Sequence, residues 1–232
     1  MSVTHRISLV AAASVIGVAG CAGVQQSGPQ GMSFFVTSSN PGKGGDLGGL
    51  EGADRFCQSL GDAAGAGQRT WRAYLSTQAP ALNSPAYVNA RDRIGTGPWY
   101  NIKGVLIARS VAELHSGANN INKDTALDEK GNAPNDRTKT PNQHDILTGS
   151  REDGTAFIGG SGGGVPFPDM TCGNWTKGTA EGSAMTGHFD RSGPVEASWA
   201  SSWNSSHPTI GCSMEKIRPT GGDGRLYCFA TN

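Results

Sequence analysis

The sequence predicts an α+β domain that is loop-rich, with few short helices, twisted antiparallel strands and two disulfides. Three observations predict it. Glycine fills 35 of 232 positions and charged residues make up only 16%, a composition suited to turns rather than long helices. One segment has a clear helical period, whereas several short runs are rich in β-branched and aromatic residues. Four cysteines, Cys57, Cys172, Cys212 and Cys228, form an even set with no Cys-x₂-Cys pair among them. In an exported chain such a set reads as disulfides rather than as a zinc knuckle, and its pairing is open among the three possible connectivities.

Export is read from the N-terminus. Arg6 precedes an uncharged apolar run, Ile7 to Gly20. The run is shorter than the ~20 residues of a comfortable bilayer span and fits a signal-peptide apolar region of ~7–15 residues. The small residues Val18-Ala19-Gly20 followed by Cys21 resemble the bacterial lipobox. That resemblance implies cleavage before Cys21 and acylation of its thiol, with palmitate-type chains. A single chain anchors only marginally at ~0.8 kcal/mol per buried CH₂, so a multiply acylated cysteine is what holds a protein at a membrane. Ala22, where an Asp would mark inner-membrane retention, implies the outer membrane. Residues 1–20 are therefore expected to be a lipoprotein signal peptide and 21–31, rich in Gly, Gln, Ser and Pro, a flexible tether. Residues 32–232 are left as one domain.

Without Arg6 the chain carries 18 basic against 19 acidic residues, with no basic run. Nucleic acid is excluded as a partner, because phosphate contacts need clustered Lys and Arg. The anchor, not surface charge, is the expected membrane contact.

The elements follow in order. Met32–Thr37 is β-rich and ends in Ser-Ser-Asn-Pro-Gly, a strand and a turn. Leu50, Ala53, Phe56, Cys57, Leu60 and Ala64 recur at helical spacing, with Gly65 and Gly67 as the stop. Thr70–Ser76 alternates, placing Trp71, Ala73 and Leu75 on one face. Ala86–Ile94 suits a short helical turn, Lys103–Ala108 a strand, and Ser110 can cap a short helix carrying Val111 and Leu114. The polar stretch from Gly117 to Pro141 is long for a structureless connection and reads as functional or partly disordered. Gly159–Gly164 is a flexible loop without the lysine of a phosphate loop. Met170–Thr176 and Ser183–Asp190 read as strands, and Ser198–Pro208 as a loop. Gly224–Ala230 closes the chain as a strand, with Leu226, Cys228 and Ala230 on one face and Tyr227 and Phe229 on the other.

An early helix with a cysteine, a Cys-x-x-Trp segment, a late loop cysteine and a cysteine in the last strand resemble the C-type-lectin-like fold. The resemblance tightens in Phe34-Phe-Val-Thr-Ser38, Leu47-Gly-Gly-Leu-Glu-Gly-Ala-Asp54, Trp71-Arg-Ala-Tyr-Leu-Ser76, His144-Asp-Ile-Leu-Thr-Gly-Ser150, Cys172-Gly-Asn-Trp-Thr176, Ser202-Trp-Asn-Ser-Ser-His207 and Gly221-Gly-Asp-Gly-Arg-Leu-Tyr-Cys-Phe229. These look like bacterial exported proteins related to the collagen endostatin domain. The resemblance implies Cys57–Cys228 and Cys172–Cys212 as the bridges. It also implies a lectin label, which rests on fold and does not by itself establish a sugar.

The sites are weaker. Calcium-dependent lectins of this fold carry Glu-Pro-Asn or Gln-Pro-Asp and Trp-Asn-Asp, which supply oxygens to Ca²⁺. This chain has neither tripeptide, and Trp203-Asn204-Ser205 stands where a carboxylate would be needed. A calcium-free site for a glycan or protein ligand would use Trp199, Trp203, Asn204 and His207, together with His144 and Asp145. Aromatic rings there would cover sugar faces and the polar groups would bond hydroxyls. His144-Asp145 and His188-x-Asp190 each set a carboxylate near an imidazole, but no short His-x₃-His motif marks a metal site and no Gly-x-Ser-x-Gly elbow marks a nucleophile. The sequence thus gives no metal ligands, no cofactor and no catalytic residue. His144 is expected to bond backbone and Asp145 to cap or orient a loop. The expected function is an outer-membrane lipoprotein that binds a glycan or envelope protein. A purely structural envelope component is the alternative, and a hydrolase using His144 or His188 the second.

Overall fold

The computed structural model describes residues 1–2, 31–159 and 168–232. Nearly all of the expected signal peptide and tether, Cys21 included, lies outside the described residues, as does most of the Gly159–Gly164 block. No helix among the described residues is long and apolar enough to cross a membrane.

The domain is α+β, built around one long strand. The strands are β1 (Phe34–Val36), β2 (Trp71–Ala73), β3 (Trp99–Tyr100), β4 (Leu106–Ala108), β5 (Asp145–Leu147), β6 (Thr186–His188) and β7 (Gly222–Ala230). β7 pairs antiparallel with β1 and with β2, and Cys228 faces Phe35 on one side and Ala73 on the other. Two partners at one residue require two edges, so β7 is central. β5 runs parallel to the first half of β7, and β6 pairs antiparallel with β5. β3 and β4 form a separate two-stranded ribbon.

The alternation expected in β7 sorts two cores. Leu226, Cys228 and Ala230 pack with Phe35, Trp71 and Trp175 under helix α1 (Gly49–Ala63). Tyr227 and Phe229 pack on the opposite face with Phe34, Tyr74, Trp99, Phe189 and Trp203. Three buried indoles find backbone acceptors: Trp71 donates to Ala66 O, Trp99 to Ala230 O and Trp175 to Ser76 O. Gly61 lets α1 close on Trp71, because a Cβ there would collide with the indole.

Both bridges have the implied pairing. Cys57 of α1 joins Cys228 of β7, and Cys172 joins Cys212. α1 is also tied to the sheet by charge. Asp54 accepts from Arg72 at 2.6 Å, from Arg93 at 2.7 Å and from the backbone N–H of Ala73 at 2.9 Å.

Several expectations need correction. Met170–Thr176 is not a strand. Cys172, Gly173, Asn174 and Trp175 have φ of 48°, 63°, 55° and 68°, a left-handed turn. Left-handed backbone is disfavoured for L-residues, and here Thr171 capping Asn174 N, the disulfide and the seating of Trp175 over Ser76 hold it. The stretch from Gly117 to Pro141 is ordered. Ile121, Ala126 and Leu127 are buried, and Asn101, Asn119 and Asn120 donate to backbone carbonyls along it. Ser110 caps the short helix α2 (Val111–Leu114) as expected, accepting from Glu113 N.

Candidate functional site

β5 and β6 set Asp145 directly opposite His188. His144, one residue before β5, stacks on the His188 ring with centroids 4.1 Å apart. A third chain, 202–207, runs along β6: His188 N donates to Ser202 O, Ser206 N to Thr186 O and Thr186 N to His207 O. It comes this close because residue 187 is glycine, where a Cβ would collide with the Trp203 carbonyl. This chain delivers His207, whose ring meets His188 edge-on at 5.0 Å.

Three imidazoles therefore converge on one carboxylate. Asp145 Oδ1 lies 3.1 Å from His144 Nε2, 3.3 Å from His188 Nε2 and 3.6 Å from His207 Nε2. The Nδ1 atoms face away. His144 Nδ1 meets Asp190 Oδ1 at 3.1 Å, His188 Nδ1 meets Ala200 O at 2.7 Å, and His207 Nδ1 lies 3.3 Å from Pro208 O. Asp190 is fixed in turn by the N–H groups of Arg137 and Ser192. The side chains of His144, His188, Asp145 and Asp190 are at most 4% exposed, and only His207, at 29%, reaches solvent.

Electrostatics follow from this packing. Burial pulls the His188 imidazole down, but the adjacent Asp145 carboxylate, with the Ala200 carbonyl, outweighs it and raises the pKa. Burial pushes Asp190 up, yet the His144 hydrogen bond and two backbone donors bring it below the ordinary carboxylate value.

The expectation for His144 is overturned: its ring bonds a carboxylate, not backbone. Asp145 sits among three imidazoles, one of them His207 of the 198–208 loop. Neither buried Asp145 oxygen accepts an aligned hydrogen bond. His144 keeps Asp145 at its Nε2 and gains Asp190 at its Nδ1, while His188 faces Asp145 rather than Asp190. The β5–β6 register brings His188 to Asp145. The sequence signal was the imidazole–acid spacing of His188-x-Asp190; β6 ends at His188, and Asp190 lies in the turn that follows.

Ser206, the serine beside His188 among the described residues, is not set up as a nucleophile. Ser206 Oγ lies 3.2 Å from His188 Nδ1 and 3.1 Å from Nε2. Near-equal distances to both nitrogens place it over the ring face, away from either lone pair.

The aromatic residues separate. Trp203 is 3% exposed, wedged between Tyr74 and Tyr227. Asn204 is 1% exposed, and its amide donates to Tyr74 OH, Arg151 O and Glu152 O. Both serve the core and its satisfied polar network, so neither offers the open ring or free amide expected of a sugar contact. Trp199 does. It is 40% exposed on the short turn Trp199–Ser201. The turn edges an open groove of about 660 Å³ lined by Arg191, Ser192, Glu196, Ser198 and Ser201. Arg191 donates to Ile121 O, Ser201 O and Asn119 Oδ1, which ties the groove to the ordered polar stretch. The segments 144–151 and 199–207 do meet, through Asn204 and through His188, but mostly beneath the surface. Neither a protein-family model nor a curated protein matches the sequence.

Proposed function

We propose that this chain is an outer-membrane lipoprotein, anchored through Cys21, whose C-type-lectin-like domain of the endostatin-related branch binds an envelope glycan without calcium. One observation carries the ligand: the single exposed tryptophan, Trp199, lies in the turn whose neighbours Ser198, Ala200 and Ser201 line a groove together with Arg191 and Glu196. A ring face beside hydroxyl and charged partners is the chemistry that holds a saccharide. The disulfide pairing supports the fold reading and an oxidising compartment.

A glycan array probed with the chain released by Cys21→Ser tests the ligand. Selective binding that Trp199→Ala weakens by roughly tenfold, about 1.4 kcal/mol, is expected. A blank array together with capture of an envelope protein would replace the glycan by a protein partner. Fractionation of cells tests the anchor: Cys21→Ser should shift the protein from membranes to the soluble fraction, and retention in the membranes would contradict lipidation.

A further inference from the structure

We propose that His144, Asp145, His188 and His207 form a binding site for a divalent transition metal, with zinc the ion their chemistry favours. The site is separate from the Trp199 groove and does not depend on a glycan.

The spacing is the first argument. Zinc sits ~2.0–2.1 Å from imidazole nitrogen and ~2.0–2.2 Å from carboxylate oxygen, almost always tetrahedrally, so neighbouring ligand atoms lie about 3.3 Å apart. The separations from Asp145 Oδ1 to the three Nε2 atoms are 3.1, 3.3 and 3.6 Å. The donor atoms of His144, Asp145 and His188 all fall within 4.8 Å of one another, whereas His207 lies outside that group and its partly exposed ring must turn inward to complete the set.

Orientation is the second. A metal-bound histidine turns its other N–H to a carboxylate or a backbone carbonyl, which fixes the tautomer and ring plane. His144 has Asp190 in that place and His188 has the Ala200 carbonyl. With Nδ1–H donating outward, each Nε2 presents a lone pair inward.

The third argument is the carboxylate. Both Asp145 oxygens are buried without an aligned hydrogen bond. Leaving such a group unmatched is costly, and a cation among its neighbours removes the cost. A network of charged histidines around Asp145 is the competing account, and it predicts no metal uptake.

Ligand type selects the ion. Three imidazoles and one carboxylate suit Zn²⁺ and its later first-row neighbours, whereas Ca²⁺ and Mg²⁺ require six or more oxygens. The ligands lie on or beside β5 and β6 and on the chain hydrogen-bonded to β6, so three segments are held in place before any ion arrives. His207, the solvent-reaching member, is the way in.

The test is calorimetric titration of the chelator-stripped, Cys21→Ser-released chain with Zn²⁺, Ca²⁺ and Mg²⁺ in separate arms. One equivalent of Zn²⁺ per chain is expected, with no heat from Ca²⁺ or Mg²⁺. At a hundredfold excess over Kd, zinc should raise Tm by roughly 5–10 °C. Co²⁺ in the same site should give the visible absorption of a tetrahedral ion. His207→Ala, at the partly exposed ligand, should fold and lose at least tenfold in affinity. Asp190→Asn, a positioning variant, should lose roughly 10–100-fold. Absence of stoichiometric zinc in the wild type would overturn the proposal, as would uptake unchanged in both variants.

Discussion

Replacing Cys57 and Cys228 together by alanine is expected to lower the melting temperature by roughly 10–20 °C. Their bridge spans 171 residues and joins α1 to the central strand β7. In the chain-entropy account a loop of that length is worth about 5 kcal/mol, because the cross-link removes open conformations from the unfolded chain. Each kcal/mol shifts Tm by roughly 2–4 °C in a domain of this size. The Cys172–Cys212 bridge spans 40 residues, so its removal is expected to cost about 4 kcal/mol. Differential scanning calorimetry of the two double variants ranks them. A Cys57/Cys228 variant that melts within a few degrees of the wild type would show that α1 is held to the sheet by other contacts.

Asp54→Ala is expected to destabilise the domain by roughly 3–5 kcal/mol, the usual cost of removing one partner from a buried ion pair. The carboxylate is 9% exposed and serves Arg72, Arg93 and the Ala73 N–H at once. Arg93 is the reason for the size of the effect. Its side chain is 11% exposed, and burial already pulls its pKa down, opposed chiefly by Asp54. Without Asp54 that guanidinium keeps only the Ala73 carbonyl. Arg72, 44% exposed, can turn to water, so Arg72→Ala should cost under about 1 kcal/mol. Urea unfolding of the two variants separates the cases. Equal losses for Asp54→Ala and Arg72→Ala would remove Arg93 from the explanation.

The elements legible in the sequence are those whose period is set by burial. α1 shows its stripe of Ala53, Phe56, Cys57 and Leu60, and β7 its alternation of Leu226, Cys228 and Ala230 against Tyr227 and Phe229. The turn at Cys172–Trp175 was not legible. Gly173-Asn174 are poor strand formers that tolerate left-handed backbone, but for Cys172 and Trp175 that backbone is imposed by a bridge and by a tryptophan seated 99 residues away in sequence. The histidine cluster was half legible. His144, Asp145 and His207 stood out by type, and so did the His188–Asp190 spacing. Their convergence depends on the β5–β6 register and on a glycine at 187, which no local pattern announces. Trp203 misled for a related reason. Its neighbours Ser202 and Ser205 look like an exposed loop, yet its ring fills the aromatic core and only Trp199 reaches the surface.

Four of the five tryptophans, Trp71, Trp99, Trp175 and Trp203, are at most 3% exposed, whereas Trp199 is 40% exposed. Acrylamide quenching of tryptophan fluorescence therefore reports on Trp199, and it is the most direct test of the groove. Saturating envelope polysaccharide should protect the quenchable component, and Trp199→Phe should remove that component altogether. Quenching of the wild type that is unchanged by the polysaccharide would contradict a glycan site at Trp199.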